Sequence, residues 1–431
     1  MRVPSQPPNI SKENQNESNS SDAQRIRFDN NFPIPGAKGT PALIKVYDDQ
    51  EDFKLNMTIE FYGILSPPDF DEAFPEPALP DPSYLSFEPP EERMARRPPH
   101  SLAPRIHAIS WQPLRKNPAL PSNPNELSQK IVQVQANAVQ LREELLSILE
   151  RKLGGDRLAA QYLLYNLLSS VYNRASFLPL GNLPLNLFNW PREMKDLPFK
   201  MGTFLSNLVP KLHSISITTQ NFNQEAFRLF PVKNYLQNKL ETGQLQLSSG
   251  TMLLLSETEL ASGSFSPEGL KKLNSLAQLI KWQKVAYDFQ HYQADFETDL
   301  NVLILSWARS ILAKDNPLCL QLPVCYTSGE DFLHNLDSLS SILRCYVSLL
   351  KEIQMEQINE DAQEVIQSQF VEQRQVDPSV STEDLHVWLT LARYEAMSRG
   401  DREVKVQHWK EIMEKEKERR SRFRDYLAKL R

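Results

Sequence analysis

Two short runs of consecutive apolar residues constrain the fold of this chain most strongly. They are Met252–Leu255 and Val302–Leu305, and polar residues follow each run at once. This pattern is typical of strands that are buried on both faces of a mostly parallel sheet. Between the runs, apolar residues recur at helical spacing over Gly269–Trp282; they are Leu270, Leu273, Leu276, Ala277 and Ile280. A strand, a crossover with a helix and a second strand form a βαβ-like unit, so the sequence predicts an α/β centre.

The first of these runs continues into Ser256 and Glu257. A carboxylate at the carboxyl end of a buried strand has the form of a Walker B segment, in which it acts on magnesium and water. That chemistry also requires a phosphate-binding loop of the form G-x-x-x-x-G-K-[ST]. The glycines of this sequence nowhere have that spacing. We therefore interpret Glu257 chiefly as a polar residue that ends the strand, with a relic of a nucleotide site or a working acid as alternatives.

Composition narrows the classes of function. The chain has 431 residues, enough for two or three domains, and a net charge of −6, which provides no basic field for nucleic acid. Its three cysteines and seven histidines lack the spacing of metal ligands, and no G-x-S-x-G motif presents a nucleophile. No apolar run approaches the roughly 18 residues of a membrane span. The sequence thus predicts no catalytic residues, no cofactor, no metal site and no membrane association.

Composition and periodicity also divide the chain into domains. The predicted parts are a disordered tail (1–30), an OB-like β-barrel (31–112) with a flexible acidic Pro-rich insertion (66–104), a linker (113–126), an α/β core (127–330) and a helical domain (331–431). In the barrel, strands are expected at Ala42–Tyr47, Thr58–Leu65 and Arg105–Ile109. Such a barrel can bind single-stranded nucleic acid through aromatic side chains, but its acidic insertion favours packing against a partner or a core.

Strands alternate with helices through the α/β core. The expected helices are Leu127–Leu153, Arg157–Tyr172, Phe204–Leu212 and Asn234–Leu240, and the expected strands include Leu183–Phe188 and Ser214–Thr218. Gly154 and Gly155 are typical of a helix C-terminus, and Asp156 can cap the helix that follows. That helix is apolar on most faces, so we expect it to be buried.

From Phe332 onward the pattern is entirely helical. Ser381 and Asp384 predict a capping box at the start of one of these helices, and Trp388 is expected in its core face. The last helix carries a basic cluster, Lys415, Lys417, Arg419, Arg420, Arg422 and Arg424. One interpretation is a solvated, charged helix; the other is a nuclear-localisation signal or a contact to an acidic partner.

Several segments together resemble one known family, that of the minichromosome maintenance (MCM) complex-binding proteins. The segments are Phe32–Gly39, Ala42–Asp48, Phe61–Ser66, Pro104–His107, Leu153–Ala160, Leu178–Gly181, Gly243–Leu247, Trp282–Phe289 and Asn301–Ile304. They follow one another in the family's order, and the match extends from about Phe32 to about Trp409. The segment Ser381–Met397 is similar, more loosely, to the lid of the replicative helicase subunits.

The resemblance implies a protein related to those subunits but catalytically inert. The implied fold is α/β with an all-β part: a small OB-like barrel, a degenerate AAA+-like core without Walker A, and a C-terminal helical lid-like bundle. Many relatives carry Asp-Glu where this chain has Ser256 and Glu257, and the missing aspartate removes a magnesium ligand. Family members usually begin with a further N-terminal domain, whereas here a polar tail precedes Phe32, which fits a shortened member or a partial gene model.

Three hypotheses of function follow. The first is a non-enzymatic nuclear protein that binds MCM helicase subunits in DNA replication and assists the assembly, stability or chromatin unloading of their complex, with sister chromatid cohesion implied by the resemblance. The second is a single-strand nucleic-acid binder that uses the barrel, where Phe61 or Tyr62 would stack on bases. The third is an ATPase with an unusual phosphate site, whose turnover would depend on Glu257. Of the first two hypotheses, direct nucleic-acid binding is the less favoured.

Overall fold

The computed structural model of the protein describes residues 31–37, 39–47, 53–66, 103–114, 120, 123–175, 178–236, 239–313, 316–327, 341–356 and 358–429. The predicted tail 1–30 and nearly all of the predicted insertion 66–104 lie outside these residues, as does Phe332, where the helical pattern was predicted to begin. The chain divides into two compact units. The first unit contains the described parts of 1–49, 61–110 and 234–242, and the second contains those of 50–60, 111–233 and 243–431.

The first unit is built on an open sheet of three strands. These are β1 (Leu43–Lys45), β2 (Ile59–Leu65) and β3 (Arg105–Pro113), in the order β1-β3-β2. The three predicted strands are therefore confirmed. The OB-like barrel is not confirmed, because the three described strands form an open sheet and do not close into a barrel; within this sheet β1 runs parallel to β3. Gly63 permits a close approach of β2 and β3, since a Cβ there would lie 2.3 Å from the carbonyl oxygen of His107.

The remaining strands are short. They are β4 (Asn173–Ala175), β5 (Leu178–Leu180), β6 (Leu185–Phe188), β7 (Leu212–Ser216), β8 (Val232–Asn234), β9 (Lys239–Glu241), β10 (Thr251–Ser256), β11 (Lys284–Asp288), β12 (Gln293–Glu297), β13 (Leu300–Leu305) and β14 (Leu320–Pro323). The helices of the described chain are α1 (Pro124–Ala136), α2 (Ala138–Lys152), α3 (Arg157–Leu168), α4 (Leu197–Ser206), α5 (Thr219–Asn223), α6 (Pro267–Trp282), α7 (Ser341–Leu350), α8 (Glu360–Val376), α9 (Thr382–Ser398) and α10 (Val406–Lys429).

A parallel sheet of five strands forms the centre of the second unit, in the order β14-β6-β13-β10-β7. Every residue of β6, β10, β13 and β14 is buried. In the register of β10 and β13, Leu253 lies opposite Val302. The two apolar runs of the sequence are thus adjacent parallel strands, joined by α6 and the antiparallel hairpin of β11 and β12. The predicted α/β centre is confirmed.

Local signals placed three helix ends correctly. Asp156 Oδ1 accepts a hydrogen bond from the amide of Ala159 at 3.0 Å and caps α3, whose residues are buried at ten of twelve positions. Ser381 and Asp384 form the predicted capping box of α9. Gly154 and Gly155 end α2 with φ of 73° and 87°, a backbone region that glycine adopts without strain.

Four predicted helices differ from the structure. Leu127–Leu153 is interrupted at Asn137, where φ is −107° and ψ 10°, so it forms α1 and α2. The helix after Asp156 ends at Leu168, not Tyr172. The helix predicted at Phe204–Leu212 begins at Leu197, with proline in its first turn, and ends at Ser206. Residues 234–240, predicted to be helical, belong in part to strands β8 and β9 instead.

The C-terminal helices pack on the helices that precede the sheet. Helix α7 contacts α1, α2 and α3, helix α9 contacts α3 and α10, and α10 also contacts strand β14. Trp388 of α9 and Trp409 of α10 are buried with their rings 6.4 Å apart. The predicted helical character of this region is confirmed, and its core is continuous with the core above the central sheet.

Candidate functional site

The order of the central strands defines a crevice where ligands bind in open α/β sheets. Numbered along the chain, the five strands are arranged 5-1-4-3-2. The chain leaves β6 in one direction, toward β7, and leaves the neighbouring β13 in the other, toward β14. In such sheets ligands bind beyond the carboxyl ends of the two strands where the direction changes. The candidate site therefore lies after β6 and β13.

A cleft of about 800 Å³ occupies this position. Its walls come from the segments that follow β6, β10 and β13, and they include Arg192, Lys195, Glu257, Leu260, Trp307, Arg309 and Ile311. The indole Nε1 of Trp307 donates a 2.7 Å hydrogen bond to the carbonyl oxygen of Thr258, which joins two of these walls. The cleft is thus built by the loops of three adjacent strands.

Glu257 lies at the base of the cleft and is 5 % exposed. Its Oε1 accepts a 2.5 Å hydrogen bond from the hydroxyl of Ser310, and its Oε2 accepts a 3.2 Å bond from the amide of Ile311. Burial raises the pKa of Glu257, although the hydrogen bonds from Ser310, Ile311 and Leu312 act in the opposite direction. Both carboxylate oxygens therefore hold the loop after β13 in place.

Ser256, the other Walker-B-like residue, is fully buried. Its hydroxyl forms a 2.8 Å hydrogen bond with the hydroxyl of Thr258. On the neighbouring strand, Asn186 of β6 donates a 2.8 Å bond to the hydroxyl of Ser306 and accepts a 3.3 Å bond from the amide of Ser310. The polar residues at these strand ends thus bond to one another and to their loops.

The loop after β6 differs from a phosphate-binding loop. Residues 189–196 read Asn-Trp-Pro-Arg-Glu-Met-Lys-Asp and contain no glycine. Trp190 is buried, with its Nε1 donating to the carbonyl oxygen of Leu187 at 3.1 Å. Pro198 in the first turn of α4 removes an amide from the helix start. A cradle of backbone N–H groups around a phosphate is therefore not provided by this loop.

The C-terminal helix covers the neighbouring strand ends. Phe188, the last residue of β6, packs edge-on against Phe423 and Tyr426 of α10, with ring centroids 6.3 and 4.9 Å away. Arg309 lies over the ring of Phe423 at 5.7 Å, and Arg419 Nη1 donates a 3.0 Å hydrogen bond to the carbonyl oxygen of Gln321 in β14. Side chains of α10 thus contact the carboxyl end of β6 and the backbone of β14.

Four of the six residues of the predicted basic cluster form ion pairs within the fold. Arg422 bonds both carboxylate oxygens of Asp156 at 2.9 and 2.8 Å. Arg419 pairs with Glu416 at 2.7 Å and Arg420 with Asp384 at 2.7 Å, and Lys415 lies 3.1 Å from Glu395. Lys417 and Arg424 are exposed and form no ion pair with the described residues. The cluster is therefore mainly a set of contacts that attach α10.

Glu395 is the centre of a buried charge network that the sequence analysis did not identify. Its side chain is fully buried and accepts hydrogen bonds from Arg142 at 3.0 Å, from Arg399 at 2.6 Å and from the hydroxyl of Tyr165. Burial alone would raise the pKa of Glu395, but the cations of Lys415 and Arg142 lower it well below its usual range. The available signal was the position of Arg142, which falls on the apolar stripe of its helix with Ala138 and Leu145.

Other kinds of site are not found in the part of the chain that the structure describes. Among these residues no group of His, Cys, Asp or Glu could hold a metal ion. No described helix has the length and apolarity that crossing a membrane would require.

These features define a class of protein: a mixed α/β protein whose ligand crevice lacks a phosphate cradle. Its C-terminal helix is held to other helices by ion pairs, and to the sheet by aromatic contacts and a hydrogen bond. The chain belongs to the family described as mini-chromosome maintenance replisome factor, whose family model matches residues 3–423. The resemblance predicted from the sequence is therefore confirmed.

Curated relatives support the same assignment. The chain is similar to proteins named mini-chromosome maintenance complex-binding protein from Salmo salar (38 % identical over 408 residues, 92 % of this chain and 64 % of the relative). It is likewise similar to those from Rattus norvegicus (37 % over 412 residues, 92 % and 63 %) and Arabidopsis thaliana (32 % over 399 residues, 91 % and 64 %). The chain thus spans slightly less than two thirds of the length of these relatives.

Proposed function

We propose that this protein is a non-catalytic binding partner of the MCM helicase subunits and acts in DNA replication. Membership of the replisome-factor family over nearly the whole chain carries this proposal. The curated relatives are named for binding the mini-chromosome maintenance complex, and we extend that partner to this chain. In the same proposal, the protein assists the assembly, stability or chromatin unloading of the complex. It also contributes to sister chromatid cohesion.

We further infer that the second unit is a degenerate AAA+-like core with a lid-like helical bundle. The parallel sheet, the acidic residue after β10 and the crevice after β6 and β13 support this inference. The glycine-free loop after β6 supports an inert core, because it offers no cradle for phosphates. Through such a core the protein would occupy a subunit-like position beside the helicase subunits.

The proposal is tested by affinity purification of the tagged chain from dividing cells, with and without nuclease. We expect helicase subunits in near-stoichiometric amounts in both preparations, because a direct protein contact does not depend on nucleic acid. Loss of the subunits after nuclease treatment, or their absence from both preparations, would contradict the proposal. Purified subunits mixed with the purified chain should then form the complex on a sizing column.

We propose a nuclear location, since the partner acts on chromosomes. Lys417 and Arg424 are the members of the basic cluster that remain exposed and unpaired among the described residues. A fluorescent fusion of the intact chain should accumulate in the nucleus. Replacing Lys417 and Arg424 by alanine tests whether these residues contribute to nuclear localisation, because the substitutions leave the described ion pairs of α10 intact.

A second candidate function is single-strand nucleic-acid binding by the first unit. Tyr47 and Tyr62 are 68 % and 52 % exposed there, and Tyr47 stacks on His107 with ring centroids 5.8 Å apart. Exposed rings can stack on bases. Binding of a labelled single-stranded oligonucleotide that weakens with salt and is reduced by Tyr62→Ala would support this candidate. Binding that Tyr62→Ala leaves unchanged would exclude this surface.

A further inference from the structure

The cleft after β6 and β13 has two unpaired cations at its mouth. Arg192 and Lys195 both line the cleft, are exposed and form no ion pair or side-chain hydrogen bond with the described residues. They lie three residues apart on the loop that replaces a phosphate-binding loop. Most other cations near the site are engaged: Arg309 bonds Gln321 at 2.7 Å, and Arg419 pairs with Glu416 at 2.7 Å. Arg192 and Lys195 are therefore available to a ligand.

The cleft also offers apolar surface beside these cations. Leu260, Trp307 and Ile311 line it, and Ile311 is 41 % exposed. Two acidic residues also line the cleft. Both carboxylate oxygens of Glu257 accept hydrogen bonds, from Ser310 and Ile311, whereas Glu259 is exposed at the rim. Of the charged side chains that line the cleft, Arg309 and Glu257 are engaged within the fold, which leaves two exposed cations and one exposed carboxylate. Glu193 and Asp196 are exposed on the same loop as the two cations but do not line the cleft. The complementary ligand carries carboxylates next to apolar side chains.

We propose that this cleft binds an acidic peptide segment of a protein partner, with carboxylates of the peptide bonded to Arg192 and Lys195. A guanidinium can bond both oxygens of a carboxylate, and these charge-assisted bonds are stronger than neutral ones. A nucleotide fits less well, because the loop 189–196 has no glycine and Pro198 removes an amide from the start of α4. This inference does not depend on which protein supplies the peptide.

The test uses a fluorescein-labelled dodecapeptide of repeated Asp-Leu-Gly and the full chain. We expect saturable binding by fluorescence anisotropy and a change in the emission of Trp307, which lines the cleft. The double variant Arg192→Glu with Lys195→Glu should weaken binding about tenfold or more, since removing charge-assisted bonds and adding repulsion costs at least about 1.4 kcal/mol. A peptide with Asn in place of Asp should bind weakly, and with equal affinity, to the wild type and to this double variant.

The matched control is Lys130→Glu with Lys410→Glu, the same charge change at two exposed cations that are unpaired among the described residues. It should retain wild-type affinity, and both double variants should unfold at the wild-type temperature. In Trp307→Phe, anisotropy should still report binding while the emission change is lost. Absence of saturable binding to the wild type, equal weakening by both double variants, or an unchanged Trp307 emission would overturn the proposal. Displacement of the peptide by Mg-ATP or pyrophosphate at similar concentrations would also overturn it, in favour of a phosphate ligand.

Discussion

At the scale of single residues, Glu395 has the largest set of charged partners among the described residues. Arg142, Arg399 and Lys415 all lie within 3.1 Å of its carboxylate, which is fully buried. A buried charge is tolerated only when it is paired, because desolvation costs several kcal/mol per ion. Arg142 lies on α2, Lys415 on α10 and Arg399 directly after α9, the helix that carries Glu395, so one carboxylate joins three helices.

Removing this carboxylate should strongly destabilise the fold. Glu395→Gln leaves the buried cations of Arg142 and Lys415 without their counter-charge, and we expect a loss of about 3–5 kcal/mol in the free energy of unfolding. Glu143→Gln is the control, because Glu143 also pairs with Arg142 but its side chain is 52 % exposed, and it should cost about 1 kcal/mol or less. Urea unfolding followed by circular dichroism measures the free energy of unfolding of both variants. Equal losses would contradict the central role of Glu395 in the buried charge network.

The same residue predicts a pH dependence. The pKa of Glu395 in the folded protein is lowered well below its ordinary value of 4.5. A carboxylate with a lowered folded-state pKa stabilises the fold above its unfolded-state pKa, and this contribution is lost as the pH falls below that value. The wild-type free energy of unfolding should therefore decline below about pH 4.5 more steeply than that of Glu395→Gln. Parallel declines would show that other groups control the acid response.

Glu257 provides a residue-scale test of whether the cleft is catalytic. Glu257→Gln keeps an oxygen that accepts from the amide of Ile311, its NH2 group can donate to the hydroxyl oxygen of Ser310, and it removes a charge that burial disfavours. We expect little change in stability and no ATP turnover in either protein. Glu257→Ala leaves the amide of Ile311 and the hydroxyl of Ser310 without an acceptor and should cost about 1–3 kcal/mol. Measurable ATP hydrolysis that Glu257→Gln abolishes would contradict the inert interpretation.

At the scale of elements, α10 connects the helical bundle to the central sheet. Arg422 bonds Asp156, the residue that caps α3, and Phe423 and Tyr426 pack on Phe188 of β6. A helix with such alternating charges would be solvated on its own. Here the carboxylates that pair with its cations lie partly on other helices and are partly buried, so the charges determine where the helix packs.

Two neighbouring arginines of α10 should differ in their effect on stability. Arg422→Ala leaves the buried carboxylate of Asp156 without the guanidinium whose Nη1 donates to both of its oxygens, and we expect a loss of about 1.5–3 kcal/mol. Arg424→Ala removes an exposed cation that is unpaired among the described residues, and we expect no measurable change. Thermal unfolding of the two variants compares them directly. A loss of equal size in both would mean that the helix is stabilised by its total charge.

At the scale of the whole molecule, the sheet and the C-terminal helices form one unit. The described parts of 111–233 and 243–431 belong to the same compact unit, with a shared core that includes Leu303 of β13 and Trp409 of α10. Chains ending at residue 330 would expose Phe188, Tyr162 and the other side chains that α10 covers. We expect such a chain to lack the cooperative unfolding transition of the full chain. A soluble 1–330 fragment with its own sharp transition would show that the helical bundle is a separable domain.

Much of the secondary structure could be predicted because its signals are local. Consecutive apolar residues marked β10 and β13, and the side chains of Asp156 and Ser381 marked two helix starts. Errors arose where tertiary packing overrides local preference. The apolar stripe that helical spacing gave for α6 includes Leu270, which is 51 % exposed, and omits Leu279, which is buried, because helical spacing does not specify which neighbouring stripe faces the sheet.

The sequence by itself determined the α/β class, the family and the lack of a phosphate-binding loop, since each is written in residue type and spacing along the chain. Only the tertiary structure decided what the charged residues do. Arg422 and Asp156 are 266 positions apart, and Lys415 and Tyr165 are 250 apart. Whether a lysine or arginine is a solvated charge, a structural ion pair or a free ligand-binding group depends on which distant carboxylate folding brings beside it. That pairing has no local signature, because attraction between charges depends on their separation in space and on their burial.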